Sequence, residues 1–353
     1  IKDEAVQFLK NRAMINAVME SVDLIQKEQY DQIKKVIDTA LVACVSREIG
    51  HDYFESFDQR TDISTRNPIP TGWKEIDSRL SAHADAGGLA DGELGSIIAS
   101  TGSGKSMALV HIGAQALKMK KTVVHYTLEL KDTDVGLRYD SCLTKYPIGK
   151  VTTVYKKEVE EKLKEYDGCK LIIKEYPTKS ASVTTIEKHL EQLRRMRIFP
   201  DLIIIDYADL LRMESKNATY EAQGHNYEQL RRLAGEWKVP IWTASQGNRE
   251  AANAKLVDVT HIAESYNKAC VSDVILSMSR TNKDKVLDTG RICLLKNRVG
   301  EDGLVFPAKM NYMNVTIDVE PPSSFDDIDK SDYQETKNNT SDIWKKLKQE
   351  LNV

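Results

Sequence analysis

Residues 99–106 read Ala-Ser-Thr-Gly-Ser-Gly-Lys-Ser, and these residue types at this spacing suit the binding of a phosphate chain. Ala99, Ser100, Thr101, Gly102, Ser103 and Gly104 are small, so main-chain N–H groups can approach phosphate oxygens closely. Lys105 carries a charge that reaches terminal phosphates, and the Ser106 hydroxyl suits Mg²⁺. The stretch follows an apolar run, Leu94-Gly95-Ser96-Ile97-Ile98, and precedes Met107-Ala108-Leu109-Val110. Strand, glycine-bearing loop and helix therefore come in order, and the helix N-terminus adds partial positive charge at the loop. Ala99 stands where the usual pattern begins with Gly, which removes some backbone freedom and leaves the cradle intact. The expected ligand is ATP or another nucleoside triphosphate with Mg²⁺.

Hydrolysis needs more than a cradle. Leu202-Ile203-Ile204-Ile205-Asp206 is an apolar strand ending in a carboxylate, about a hundred residues beyond the loop. Alone, Asp206 would read as a helix cap; with the loop upstream it reads as a holder of Mg²⁺ or its water. A second strand, 122–127, runs into Leu128-Glu129-Leu130, where Glu129 is either the base that polarises the attacking water or a solvated loop carboxylate. The strand at 240–244 leads to Ser245-Gln246, and a Gln there can bond a γ-phosphate and order the loop that follows. That loop, 247–265, is long and polar and contains Asn248, Arg249 and Lys255, so it is placed to link nucleotide state to a partner. Lys296-Asn297-Arg298-Val299-Gly300 ends a late strand. Lys296 and Arg298 are a solvated basic turn in a lone subunit, but in an oligomer they can reach a neighbour's γ-phosphate.

These residues must be held by a framework, and strands and helices alternate from Thr71 onward. Strands are expected at 94–100, 122–127, 170–174, 202–205, 240–244, 274–278 and 291–296, with helices notably at 107–119, 156–166 and 184–197. That order predicts an α/β fold with a mostly parallel central sheet flanked by helices, the late strands adding an antiparallel extension. Residues 1–30 and 32–45 carry helical apolar spacing, and the polar stretch 58–70 reads as a linker. From Glu320 the chain turns acidic, predicting a disordered tail over 319–353; its end, 343–348, reads as a docking peptide or a frayed helix.

Bulk composition narrows the class further. The chain has 353 residues and a formal charge of −3, which argues against a protein that coats nucleic acid but leaves room for a local basic channel. Five scattered cysteines, none in a Cys-x-x-Cys pair, suit a reducing cytoplasm and give no zinc pattern. No apolar run approaches the roughly 20 residues that span a bilayer, so no membrane partner is expected.

Taken together, Thr71-Gly72-Trp73-Lys74-Glu75-Ile76-Asp77, Gly87-Gly88-Leu89, the phosphate loop, Leu128-Glu129, Ile204-Ile205-Asp206-Tyr207, Ser245-Gln246, Ile262-Ala263-Glu264-Ser265 and Lys296-Asn297-Arg298-Val299-Gly300 resemble the motor domain of DnaB-type replicative helicases, above all those of T4-like bacteriophages. The likeness covers roughly residues 30–318. It implies a RecA-like P-loop ATPase core in a homo-hexameric ring around single-stranded DNA, with ATP between subunits and a primase and a helicase loader as partners. It implies that Lys105 and Ser106 bind phosphate and Mg²⁺, Asp206 holds the metal, Glu129 activates water and Gln246 senses the γ-phosphate. Lys296 and Arg298 would be supplied to the adjacent subunit. Residues 1–30 would be the last helix of an N-terminal collar mostly absent from this numbering, 31–70 a linker helix (32–45), docked on the neighbour rather than packed in its own core, with its linker, and 71–318 the motor.

One departure bears on DNA. Bacterial members often carry Arg-Glu-Ser-Gly in the central loop, whereas this chain has Ala263-Glu264-Ser265-Tyr266. Backbone contacts are then expected from main-chain N–H groups, Asn267 and Lys268, with Asn248, Arg249 and Glu264 nearby. Tyr266 either stacks on a base or packs internally. Two rival readings share the core: a recombinase forming open filaments, and a nucleotide switch that scaffolds partners without translocating.

Overall fold

A computed structural model describes residues 2–26, 29–44, 53, 54, 57, 67–81, 87–213, 219–248, 251, 254, 256–258, 261 and 266–322. Two units emerge, Ile1–Thr65 and Arg66–Val353. In the first, α1 (Lys2–Gln26) and α2 (Tyr30–Cys44) pack against each other as a hairpin. Ala13, Ala17 and Glu20 face Val36 and Ala40 across it, and Ala17 and Ala40 are buried. The helices begin and end within a few residues of the expected bounds.

The second unit is built on one sheet. Its strands are β1 (Leu94–Ala99), β2 (Val123–Thr127), β3 (Leu171–Glu175), β4 (Leu202–Asp206), β5 (Ile241–Gln246), β6 (Val274–Ser279), β7 (Thr289–Asn297), β8 (Leu304–Asn311) and β9 (Thr316–Val319). Their order is β3-β2-β4-β5-β1-β6-β7-β8-β9. The first six in that order are parallel, and β7, β8 and β9 extend the sheet antiparallel. Near-continuous apolar runs such as Leu202-Ile203-Ile204-Ile205 form such strands because helices cover both faces.

The helices of this unit are α3 (Lys74–Asp77), α4 (Lys105–Lys118), α5 (Asp132–Thr144), α6 (Lys156–Leu163), α7 (Val183–Arg195), α8 (Thr219–Trp237), α9 (Tyr266–Val271) and α10 (Asn282–Val286). Alternate strand residues sort onto the two faces, as the two-residue period of a strand requires. Ile97, Ile204 and Trp242 pack with Leu109 and Ile112 of α4 and Val135 of α5. Ile203, Ile205 and Ile241 pack with Ile186 and Leu190 of α7 and Leu230 and Leu233 of α8. Gly95 is required in β1, because a Cβ there would lie 2.5 Å from the Trp242 ring.

The expected linker ends earlier than its composition suggests. Ile69 is buried and exchanges main-chain hydrogen bonds with Leu89, at 2.8 and 3.0 Å, so the Asn67–Pro70 end is tied into the sheet unit. An apolar side chain between two prolines finds its place by tertiary pairing, which polarity along the chain does not reveal. Residues 323–353, with the expected acidic tail, lie outside the described residues.

This topology fixes where chemistry can occur. The chain leaves β1 for β2, which lies three strands away, so a crevice opens at the carboxyl ends of β1, β5 and β4. Register aligns Ala99 with Gln246, and Thr127 with Asp206, along that edge.

Candidate active site

Gly102 and Gly104 carry the loop through left-handed backbone, with φ of 75° and 101°, and Gly104 leads directly into α4. At Gly104 a Cβ would also lie 2.8 Å from the Tyr312 hydroxyl, so glycine is needed twice over. Ser100 and Ser103 close the loop through a 2.6 Å hydroxyl pair. Lys105 lies back along it, donating to the carbonyls of Ala99 at 3.1 Å and Ser100 at 3.3 Å. Burial lowers its pKa, and the charges of Glu129, Asp206 and Asp209 oppose that shift.

Asp206 ends β4 almost wholly buried. Desolvation pushes its carboxyl up to about 6, with the Ser106 hydroxyl, Arg138 and Lys105 working against the rise and Glu129 adding to it. The Ser106 hydroxyl faces the carboxylate but falls outside hydrogen-bond geometry, which leaves both carboxylate oxygens without a donor. A buried, unpaired carboxylate is costly unless a cation comes to it. Asp206 with Ser106 would therefore suit Mg²⁺, a hard cation that favours oxygen ligands.

Glu129 follows β2 as an exposed carboxylate whose charge acts on Lys105, Asp206 and Tyr207, so it looks into the same crevice. Gln246 spans the site. Its Nε2 donates to Thr101 Oγ1 at 3.0 Å, and its Oε1 accepts from the Tyr207 hydroxyl at 3.2 Å. The structure thus brings residues 99–106, Glu129, Asp206 and Gln246 to one sheet edge.

Three further residues meet the loop, Gln246 or their partners without a motif that marks them in the sequence. Asp209, on a short turn after β4, accepts from Ser245 Oγ at 3.0 Å and from the Gln246 main chain at 3.1 Å. Tyr312 approaches the Gly102 carbonyl at 3.4 Å, and the Arg280 guanidinium lies 4.5 Å from its ring centroid. Asp209 had one local signal, its place three residues after Asp206. Tyr312 and Arg280 had none, since β8 and β6 bring them in from far along the chain. Conversely, the motif at 71–77 proves structural: Asp77 accepts from the Thr71 main chain and hydroxyl and from Gly72.

The expected DNA contacts divide. Lys268 is corrected: only 2% exposed, its ammonium pairs with Asp209 Oδ1 at 2.8 Å, so in this arrangement it is not presented to a DNA backbone. A charge that reads as solvent-facing is drawn inside because Asp209 waits there. Asn248 Oδ1 accepts from the Ala251 main chain, which shapes the loop start. Arg249 and Glu264 lie outside the described residues; Tyr266 and Asn267 lie on the backbone of α9.

Lys296 and Arg298 sit at the opposite end of the sheet. Asn297 pairs with Val274 at the start of β6, and the Arg298 main chain donates to Asp273, whose carboxylate in turn accepts from Leu94 N at the start of β1. Five residue steps along β1 put about 16 Å between that end and Ala99. Arg298 is about half exposed and pairs with Asp273 at 2.9 Å; Lys296 donates to the Ala269 and Cys270 carbonyls at 2.8 Å.

A main-chain cradle at the head of α4 with an unpaired carboxylate beside it defines a P-loop nucleotide-binding domain, and the sheet is that of the RecA-like class. The family model for the DnaB-like helicase C-terminal domain matches residues 68–315, and the chain belongs to that family. A curated relative, the DnaB-like replicative helicase of Enterobacteria phage T4, is 24% identical over 324 residues, 84% of this chain and 67% of the relative. Among solved structures, a DnaB-like replicative helicase studied for its interactions with primase matches with a TM-score of 0.64 at 15% identity, over 90% of this chain and 78% of that one. A second solved structure, of an isolated ATPase domain, matches with a TM-score of 0.63 at 18% identity, over 80% of this chain and 98% of that one.

Proposed function

We propose that this chain is the motor subunit of an ATP-driven replicative helicase, working in the cytoplasm as a ring of six that translocates on single-stranded DNA and unwinds duplex at the fork. The observation that carries this reading is the separation of the two cationic sets. Lys105 lies at one end of β1 and Lys296 with Arg298 at the other, too far to serve the same phosphates. One chain holds half of each site at either end, and a closed ring of identical, head-to-tail contacts unites the halves.

Within a junction, the N–H groups of residues 100–106 and Lys105 bind the phosphates, while Ser106 and Asp206 would hold Mg²⁺. When bound, the metal would offset the negative charge of the phosphates. Glu129 orients and deprotonates the attacking water. Gln246 exchanges its Thr101 contact for the γ-phosphate, so its position reports the bound nucleotide. The neighbour's Arg298 leaves Asp273 to meet the charge that develops in the transition state, a contribution worth orders of magnitude in rate. The Tyr312 ring, beside the loop, offers the nucleotide base a stacking face. The segment between β5 and α9 grips the DNA backbone without reading bases, and the helicase–primase relative supports a primase as partner.

The decisive experiment measures unwinding of a forked duplex together with oligomeric mass, with and without ATP. ATP-dependent unwinding by a hexamer, lost in Lys105→Ala, is expected. An open filament with strand-pairing activity would establish the recombinase reading instead, and nucleotide binding without turnover the switch.

A further inference from the structure

Helix α9, six residues long, is linked to groups at both ends of the sheet. Near its start, Lys268 reaches Asp209 at 2.8 Å and Ser245 Oγ at 3.3 Å, inside a cage completed by the Tyr227 ring, 5.6 Å from the ammonium. The same Asp209 accepts from Tyr227 at 3.2 Å and, through its other oxygen, from Ser245 and the Gln246 main chain. Near the end of α9, the Ala269 and Cys270 carbonyls hold Lys296. Two residues past the helix, Asp273 binds Arg298, Arg231 and Leu94 N. Ser272, between them, pairs with Ser96 of β1 at 2.7 Å.

We propose that α9 is the lever joining the nucleotide held by its own subunit to the DNA segment before it and to the Lys296–Arg298 cations beyond it, with Lys268 and Asp209 as the positioning pair. The inference rests on the helicase reading above. Gln246 touches Thr101 and Tyr207 with its side chain and Asp209 with its main chain, so a γ-phosphate that moves Gln246 disturbs the donors around Asp209. Parting Asp209 from Lys268 would strand a buried charge, so a shift of Asp209 is passed on to Lys268. Lys268 is rigidly part of α9. Its displacement shifts the preceding segment on one side and the anchors of Lys296 and Arg298 on the other, coupling two neighbouring ATP sites through DNA contact.

The test is thermodynamic linkage in the full chain. Affinity for fluorescein-labelled oligo(dT) is measured with a non-hydrolysable ATP analogue and with ADP, across a salt series. Wild type should bind more tightly in one state by about tenfold, within the usual range for coupled sites. In Lys268→Met, which keeps the aliphatic stem and leaves Asp209 three neutral donors, that ratio should fall below about threefold with the salt slope unchanged. Asp209→Asn should do the same, Lys268→Arg should keep most of the ratio, and the double variant should lose no more than either single one. Equal weakening in both nucleotide states with the salt slope smaller by about one would make Lys268 a DNA ligand and overturn the proposal. A ratio unchanged in both single variants, or additive losses, would overturn it equally. A wild-type chain with no DNA affinity in either state would refute the helicase reading itself, and the lever with it.

Discussion

Asp206 is held at a cost that the structure makes measurable. Its carboxyl is pushed up to about 6 from 3.8, chiefly by burial, and both oxygens lack donors. Below the ordinary carboxylate range the acid form is present folded and unfolded, and burial carries no charge penalty. As pH rises through about 6 the folded chain must ionise the buried group, and stability is lost. The full shift corresponds to about 3 kcal/mol, of which about 2 kcal/mol develops between pH 4.5 and pH 8. Asp206→Asn removes that cost, so its stability relative to wild type should rise by about 2 kcal/mol across the same interval. Any constant penalty from the unpaired amide cancels in the comparison, as does Asp77, which is also pushed up to about 6 and is present in both chains. Urea unfolding at the two pH values, without nucleotide, measures the difference. At pH 8, Mg²⁺ should stabilise wild type and leave the variant unmoved. A stability difference that does not change with pH would refute the reasoning.

Two further outcomes follow from the site. Glu129→Gln should lower kcat at least about a hundredfold while nucleotide affinity, by fluorescent-analogue titration, stays near wild type, since the base acts on water and not on the phosphates. Tyr312→Ala should raise KM for ATP by about tenfold with a smaller effect on kcat, reflecting about 1 kcal/mol or more of lost ring contact; steady-state turnover separates the two.

The legible parts of this molecule are those where local pattern and chemistry coincide. Strands β1, β2, β4 and β5 are short buried runs that lead into the proposed site residues, so both their existence and their exit residues could be read. The antiparallel extension was legible only as a tendency. In β8, Pro307 and Lys309 interrupt the apolar run, and in β9 the run is too short to separate from its neighbour. In helix α8 the buried stripe of Tyr227, Leu230, Leu233 and Ala234 runs between glycines and arginines, which hides its helical period in the sequence. Local motifs place Lys105, Asp206 and Gln246 at the crevice. Asp209, Arg280 and Tyr312 act through tertiary neighbours, and Lys268 changes meaning once Asp209 is in place. No local spacing encodes such a pairing.

The central claim is that each ATP site is shared between subunits, and mixing two inactive variants tests it most directly. Lys105→Ala lacks the phosphate-binding half, and Arg298→Ala lacks the contribution to the neighbour while Asp273 keeps Arg231. Combined in equal amounts before ATP is added, about a quarter of junctions should join an intact loop to an intact Arg298, because heterologous contacts pair subunits at random. The mixture should therefore recover about a quarter of wild-type turnover from two nearly inactive proteins. A mixture no more active than its components would contradict the shared site and return Lys296 and Arg298 to an ordinary solvated turn.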